Sequence, residues 1–403
     1  MPRHDRRRRS RSQLSDCGAR GHGDRNRMIA IVGAGPAGMA AARRARECGA
    51  DVTVIDDNTA PGGQIWRGEG RALPAGVRFL SSTRVIGGDR TRQVLLAEGP
   101  EGAREIGYDR LILATGAREL FLPFPGWTLP GVFGAGGLQA LAKSGLSLRR
   151  KRIAVGGSGP LLLAAAEYFR KCGAQVVLIA EQASTAQVMR FATEVFRDAA
   201  KLTQAVRLQT ALLGVPWRHG CWMEAAEGSG RVERVRVRQG RRTWTEEVDY
   251  AAAAWGLVAN TELEELFGCE SLANTGGVEV STIEGEIAGL EAGGRPDLAR
   301  ELQPRLEKAR RFAQALDRAF ALRPEVKALA RPETLVCRCE DVPLARLLEC
   351  RSFREAKLHT RCGMGTCQGR ICGAAAKELF GWRDASVRPP VLPVSVGTLA
   401  GAG

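Results

Sequence analysis

The sequence predicts an α/β protein of two successive β-α-β dinucleotide-binding units, followed by a small, helical, cysteine-rich domain. Three observations carry that prediction. Glycine-rich turns of one kind begin at Gly33 and Gly157, each between a short apolar strand and a helix. Each unit ends its second strand near an acid, Asp56 in the first and Glu181 in the second. Six of the eleven cysteines fall between Cys337 and Cys372. A chain of 403 residues has room for two or three domains with separate cores.

In the first unit, Met28–Val32 reads as a strand, Gly33-Ala34-Gly35-Pro36-Ala37-Gly38 as the turn, 39–48 as a helix and Asp51–Ile55 as the second strand. The glycines permit the tight turn and let backbone N–H groups approach a pyrophosphate, while the helix N-terminus adds partial positive charge. Asp56 follows Gly33 by 23 residues, where it can accept hydrogen bonds from a ribose, with Asp57 in reserve. The plainer alternative is a tight turn with no ligand. Pro61-Gly62-Gly63-Gln64 then lets a backbone pass close to a flat ligand, although an ordinary loop has the same composition. The strand Arg110–Leu113 runs into Ala114-Thr115-Gly116, small residues suited to a chain crossing beside a cofactor.

The second unit begins at Arg152 with IAVGGSGPLLLAAAEYFRKCGAQVVLIAE. Gly157 and Gly159 supply the first two glycines, and Leu162 stands where the third small residue belongs. A leucine there is expected to push helix and strand apart. Glu181, 24 residues after Gly157, is placed to hold an NAD ribose hydroxyl. The fold can also persist here without a ligand.

The bulk composition excludes several classes. The longest apolar stretches, near 161–166 and 251–259, are far shorter than the roughly 18–20 residues needed to span a bilayer. Cysteines bunched at one end fit a reducing compartment and a cytoplasmic location rather than a disulfide scaffold. The formal charge is +15, and residues 1–27 hold nine arginines against three aspartates, a net +6. No apolar segment follows those arginines, so they are not an export signal. Met28 opens the first strand, which makes 1–27 a disordered basic extension or an over-long start, with a transit peptide as the minor alternative. Residues 291–327 place apolar residues at helical spacing among many charges, as expected of a long amphipathic helix or helical hairpin. No base-stacking aromatics accompany its basic face, so nucleic acid is not an expected partner.

In the cysteine run, C-x-C (Cys337, Cys339) and C-x4-C (Cys367, Cys372) stand about thirty residues apart. Two such pairs can bring four thiolates onto one inorganic centre, as [2Fe-2S] clusters require. A four-cysteine structural zinc site is the second reading, though zinc sites more often use C-x2–4-C. Gly363, Gly365 and Gly369 suit a loop wrapped round such a centre. His359 reads as a polar helix residue and Cys350 as a small buried one.

Taken together, GAGPAGMAAA, PGGQIW, LATGARELFLPFPGWTLPGVFGAGGLQAL, GGSGPLLLAAAEY and AWGLVANTEL resemble the two-dinucleotide flavoproteins related to thioredoxin and glutathione reductases. They look most like the alpha-type FAD subunits of multi-subunit amine dehydrogenases of the opine oxidase, D-hydroxyproline dehydrogenase and hydrogen cyanide synthase kind. The tail is similar to the bacterioferritin-associated-ferredoxin type of [2Fe-2S] domain. The resemblance covers about residues 28–385. It implies an α/β fold with two Rossmann-like domains and a small C-terminal α domain. It implies FAD on Gly33, Gly35, Pro36, Ala37, Gly38 and Asp56, with Gly63 and Gln64 near the isoalloxazine and Thr115 and Gly116 beside the pyrophosphate. Any NAD(P) falls to Gly157, Gly159 and Glu181. The cluster falls to Cys337, Cys339, Cys367 and Cys372, with Cys362 the rival ligand.

The expected domain order is a basic extension (1–27), the first part of the FAD domain (28–130), an NAD(P)-binding-like domain (150–250), a truncated second FAD part (251–295), a helical linker (296–330), the [2Fe-2S] domain (333–385) and a tail (386–403). Two departures stand out. No CxxC or CxxxxC lies in 28–330, which argues against disulfide reduction. Only SLANTGG separates AWGLVANTELEELFGCE from VEVSTIEGEIAGL, so a late strand ending in an Ala-x-Gly-Asp/Glu motif is missing. Its carboxylate would have held the flavin ribityl chain through a charge-assisted hydrogen bond of roughly 1.5–3 kcal/mol. The leading expectation is an electron-transfer subunit fed by a partner flavoprotein that oxidises a C–N bond. The alternatives are an NAD(P)H-dependent reductase feeding its own cluster, and a non-catalytic assembly subunit that has lost FAD.

Overall fold

Four parallel strands, in the spatial order Arg78–Leu80, Asp51–Ile55, Met28–Val32, Arg110–Leu113, make the first sheet. They belong to a computed structural model that describes residues 27–273, 275–382 and 387–401. The described chain falls into two units. One takes residues up to Ala117, Ala259–Arg310 and the described residues after 386; the other takes Arg118–Val258 and those from Arg311 to 382. The arginine-rich extension lies outside the described residues except for Arg27. No helix among the described residues is long and apolar enough to cross a membrane.

Met28–Val32, Asp51–Ile55 and Arg110–Leu113 stand where the sequence places them, because apolar runs suit the buried strands of a parallel sheet, whereas the half-exposed edge strand Arg78–Leu80 gives no such signal. The first helix, Pro36–Glu47, starts three residues earlier than the periodicity suggests. Proline is preorganised for the first helical turn, where its missing N–H costs nothing. This helix buries alanines and is met by a second, Val278–Ala292, at very close range. A Cβ on Gly285 would fall 2.1 Å from the Ala37 carbonyl oxygen, and one on Gly289 2.3 Å from that of Ala41. Between these glycines, buried Glu286 pairs with Arg43, and Arg44 and Arg305 stand 3.7 and 3.9 Å from its other oxygen. A three-stranded antiparallel sheet, Arg84–Asp89, Val94–Gly99 and Gly102–Gly107, completes the first unit's strands.

Beyond Arg110–Leu113 the first sheet has no fifth strand among the described residues. A single parallel bridge joins Leu113 to Ser271, and the Leu272 N–H donates to the Leu113 carbonyl at 2.7 Å. The chain then enters the helix Val278–Ala292.

The second unit repeats the plan with five parallel strands, ordered Trp217–His219, Gln175–Glu181, Arg152–Gly157, Tyr250–Ala254, Val132–Gly134. An antiparallel sheet of Cys221–Glu227, Arg234–Gln239 and Arg242–Glu247 packs into its core. Leu162 does not stand off from the strand. It is 1% exposed in a core with Val155 and Ile179, and the helix Leu161–Lys171 carries it inward.

The segment 291–327, expected as one long amphipathic helix or a helical hairpin, is helical but divided into separate pieces. Residues 291 and 292 close the helix Val278–Ala292, and Pro296–Glu301, Gln303–Ala319 and Pro324–Lys327 follow separately. Gly293, Gly294 and Pro296 end the first piece. Residues 320–323 are held out of helix by hydrogen bonds to side chains of the second β-α-β unit.

Candidate functional site

The first glycine turn separates three glycine roles by geometry. Gly33 has φ +107°, and a Cβ there would lie 2.2 Å from the Ala114 carbonyl oxygen. A Cβ on Gly38 would lie 1.8 Å from the Gly33 carbonyl oxygen. Both are therefore required by the protein's own packing. A Cβ on Gly35 would meet nothing within 4 Å, and its φ of −76° suits any residue. The space over Gly35 is open, as a turn that admits a pyrophosphate requires.

Asp56 is buried, and its carboxylate accepts from the Ala34 N–H at 2.5 Å and the Asn58 N–H at 2.8 Å. It ties the turn to the end of the second strand before any ribose is considered. Pro36 and Ala37 are buried in the first helical turn. The Gly62 N–H donates to the Ala34 carbonyl at 2.9 Å, which lays the Gly62-Gly63 loop against the turn. A Cβ on Gly63 would come within 3.0 Å of the Gly35 Cα, while Gln64 is exposed. Thr115 and Gly116 are locked to Asn260: the Thr115 hydroxyl donates to its carbonyl at 2.9 Å, and its side-chain amide returns a bond to the Thr115 carbonyl at 2.8 Å.

Two further residues matter here that sequence reasoning passes over. Asn260 lies within the quoted AWGLVANTEL run, but its partner is 145 residues away. Arg67 donates to Asn58 Oδ1 at 2.6 Å, yet its Nε is buried without a protein partner. Asn58 in turn donates to Asp56, so this orphaned donor is tied to the glycine turn through two side chains and fits an anionic, polar ligand such as FAD.

In the second unit, Gly157 has φ +149°, and a Cβ there would lie 1.9 Å from the Ala254 carbonyl oxygen. Glu181 is 2% exposed and points back into the turn, where it accepts from the Gly159 N–H at 2.7 Å and the Ala183 N–H at 2.8 Å. Burial lifts its carboxyl from 4.5 to about 7. An acid with a raised folded-state pKa holds its proton longer in the folded chain, so its contribution is present at low pH and lost as pH rises through about 7. Between pH 5 and 8 this should cost up to about 3 kcal/mol of stability. Urea unfolding at both pH values should show a Glu181→Gln variant losing much less than wild type; equal losses would refute the assignment.

The cysteine-rich segment pairs the strand Leu335–Cys337 with Val342–Pro343, then adds the helices Leu344–Leu348, Phe353–Thr360 and Cys372–Phe380. Gly363 and Gly369 have φ of +80° and +81° and sit over the Phe353 ring. A Cβ on Gly365 would lie 2.3 Å from the Cys339 Cβ. The glycines thus let the loop wrap tightly. The sulfurs of Cys337, Cys362 and Cys372, all buried, lie within 4.8 Å of one another. Cys337, Cys339, Cys367 and Cys372 line one cavity of about 450 Å³ with Phe121, Trp127 and Phe133. Hydrogen bonds from Cys362 and Cys372 hold the Cys337 sulfur well below the usual thiol range. A hydrogen bond from Cys372 brings Cys367 to about 5. The same hydrogen bonds push Cys372 and Cys362 upward, so the sulfurs share protons that a bound metal would have to displace.

The expected ligand set and the tightest group are therefore not the same. Cys337 and Cys372 belong to both, Cys339 and Cys367 line the cavity, and Cys362 joins the inner group. Spacing along the chain ranks C-x-C and C-x4-C first and has no means of weighing the isolated Cys362. His359 is exposed on its helix.

Residues 27–282 match the pyridine nucleotide-disulphide oxidoreductase family. The chain belongs to that family. Among curated relatives, the HcnB component of hydrogen cyanide synthase from Pseudomonas aeruginosa is 30% identical over 85% of this chain and 90% of its own. The A-type subunit of opine oxidase from Rhizobium meliloti is 29% identical over 92% of this chain and 87% of its own. The alignment with HcnB runs over 422 positions although this chain has 403 residues and contributes 85% of them, so the relative has segments with no counterpart here. A crystal structure of L-proline dehydrogenase from P. horikoshii has the same fold, with a TM-score of 0.63 at 19% identity over 93% of this chain and 79% of that one. As a pyridine nucleotide-disulphide oxidoreductase family member with oxidase and synthase subunits as relatives, the chain is an FAD-dependent oxidoreductase of the FAD/NAD(P)-binding fold.

Proposed function

We propose that this chain is the electron-transfer subunit of a multi-subunit dehydrogenase, carrying FAD on the first glycine turn and a [2Fe-2S] cluster in the cysteine-rich segment. A partner subunit would oxidise the C–N bond of an amine or amino acid. The observation that carries the reading is the gathering of four cysteines from two sequence pairs on a single cavity, with a fifth beside them. Bound FAD would accept electrons in pairs and a cluster would pass them singly, while the protein holds both groups and sets their potentials. Gly33, Gly35, Pro36, Ala37, Gly38 and Asp56 would bind the adenosine and pyrophosphate half. Gly63, Gln64, Thr115 and Gly116 would border the rest. Cys337, Cys339, Cys367 and Cys372 would ligate the iron. The relatives are named as subunits, which supports a hetero-oligomer.

The test is the visible spectrum of protein purified without oxygen, with flavin, iron and sulfide contents. Two flavin bands with broad absorption beyond them, and two irons per chain, are expected. Iron and sulfide without flavin would overturn the flavin half and leave an assembly subunit, and zinc in place of iron would overturn the cluster. Cys372→Ser should lose nearly all the iron, whereas Cys350→Ser should keep it. Cys362→Ser decides between ligand sets: retained iron supports the four named cysteines, and lost iron installs Cys362 among them.

A further inference from the structure

The two glycine turns differ in what stands over their middle glycine. Over Gly35 there is open space. Over Gly159, a Cβ would meet the Phe320 ring at 3.6 Å. Phe320 lies 162 residues along the chain from Ser158, and it is not there by loose contact.

The segment 320–323 is hydrogen-bonded to the turn itself. The Ser158 hydroxyl donates to the Phe320 carbonyl at 2.8 Å. The Gln182 amide donates to Ser158 Oγ at 2.8 Å and to the Ala321 carbonyl at 3.1 Å, and its Oε1 accepts from the Arg323 N–H at 3.0 Å. Gln182 is wholly buried, and Ser158 is 7% exposed. The Phe320 ring also meets Phe191 edge-on at 5.3 Å. Ser158 lies between the two glycines, and Gln182 directly follows the acid that ends the second strand. In a β-α-β dinucleotide site these positions border the pyrophosphate and ribose. Here they satisfy the chain's own backbone instead.

We propose that residues 320–323 form an internal strap that occupies the second dinucleotide turn, so that NADH or NADPH enters only when the strap releases. The site is thus built but self-filled, and the competing ligand is a stretch of this chain. The strap runs on into Pro324–Lys327, where Lys327 bonds Glu378 at 2.6 Å on the helix that begins with Cys372. Nucleotide entry would therefore pull on the cysteine-rich segment. This inference does not depend on the identity of the metal or on flavin occupancy.

The test is NADH and NADPH binding to the full chain by calorimetry, with hydrogen exchange read at the amides of 320–323. Phe320→Ala removes the ring from over Gly159 without touching the turn, and should bind the nucleotide at least tenfold more tightly than wild type. Gln182→Ala, which cuts its bonds to Phe320, Ala321 and Arg323, should shift affinity in the same direction. In wild type, saturating nucleotide should speed exchange at 320–323. Equal affinity in wild type and Phe320→Ala, or binding without faster exchange at 320–323, would overturn the strap. No binding by either variant would overturn it too, because the segment would then be a permanent part of the turn rather than a closure over a site.

Discussion

Gly35→Ala should leave the apoprotein as stable as wild type, within about 0.5 kcal/mol, while cutting its flavin affinity at least tenfold. Its backbone angles suit alanine, and the added methyl would touch no protein atom within 4 Å. The only thing that methyl can obstruct is what approaches the turn from outside. Gly38→Ala should behave in the opposite way. Its methyl would lie 1.8 Å from a backbone carbonyl oxygen, so the turn itself must deform, at about 1–3 kcal/mol or more. Thermal or urea unfolding of the two apoproteins, beside flavin titration of each, separates ligand room from protein packing. Equal destabilisation by both changes would remove the argument that Gly35 is kept open for a ligand.

The second large effect lies away from any cofactor atom. Gly285→Val should destabilise the first unit by about 3 kcal/mol, because its side chain would enter the Ala37 backbone. Helix propensity would favour replacing a mid-helix glycine, by up to about 1 kcal/mol for alanine, so a loss here isolates the packing term. Gly289→Val should follow it, since the obstacle at Ala41 is again backbone. Gly293→Ala should cost less, for its nearest neighbour, the Cys48 Cβ, lies at 2.7 Å rather than 2.1–2.3 Å and the Cys48 sulfur can rotate away. Ala37 also lies in the first turn of the helix that follows the glycine turn, so flavin content should fall with stability. Gly285→Val unfolding at the wild-type urea midpoint would show that the helices can part without cost.

Local sequence makes the strand-turn-helix parts legible. Met28–Val32, Asp51–Ile55 and Arg110–Leu113 stand at their expected bounds because an apolar run and its flanking glycines are contained within a few residues. The first helix begins at Pro36 instead of 39, because proline's fixed φ overrides apolar spacing. Sequence alone makes Leu162 an obstruction, since the expected small residue is defined by close packing; the neighbouring core takes the side chain up. The strap stays hidden for a different reason. Phe320, Ser158 and Gln182 look ordinary in their own neighbourhoods, and their meaning comes from contacts more than 130 residues apart. The same holds for Asn260 with Thr115. Among the cysteines, spacing identifies the pairs, but only the fold brings Cys362 against Cys337 and Cys372.

The thiols of the cysteine-rich segment are not equally reachable. Cys337, Cys362 and Cys372 are 1% exposed or less, whereas Cys339 is exposed and Cys367 is between these extremes. Among these described sulfurs, Cys339 is therefore the most open to water, peroxide and chelators, with Cys367 next. If these cysteines carry the proposed cluster, its decay in air should begin at Cys339 and spread inward, so the outermost sulfur would set its lifetime. Alkylation of Cys339 alone, followed by mass, becomes a gauge of occupancy: a filled centre shields that thiol, and an empty one gives it up first.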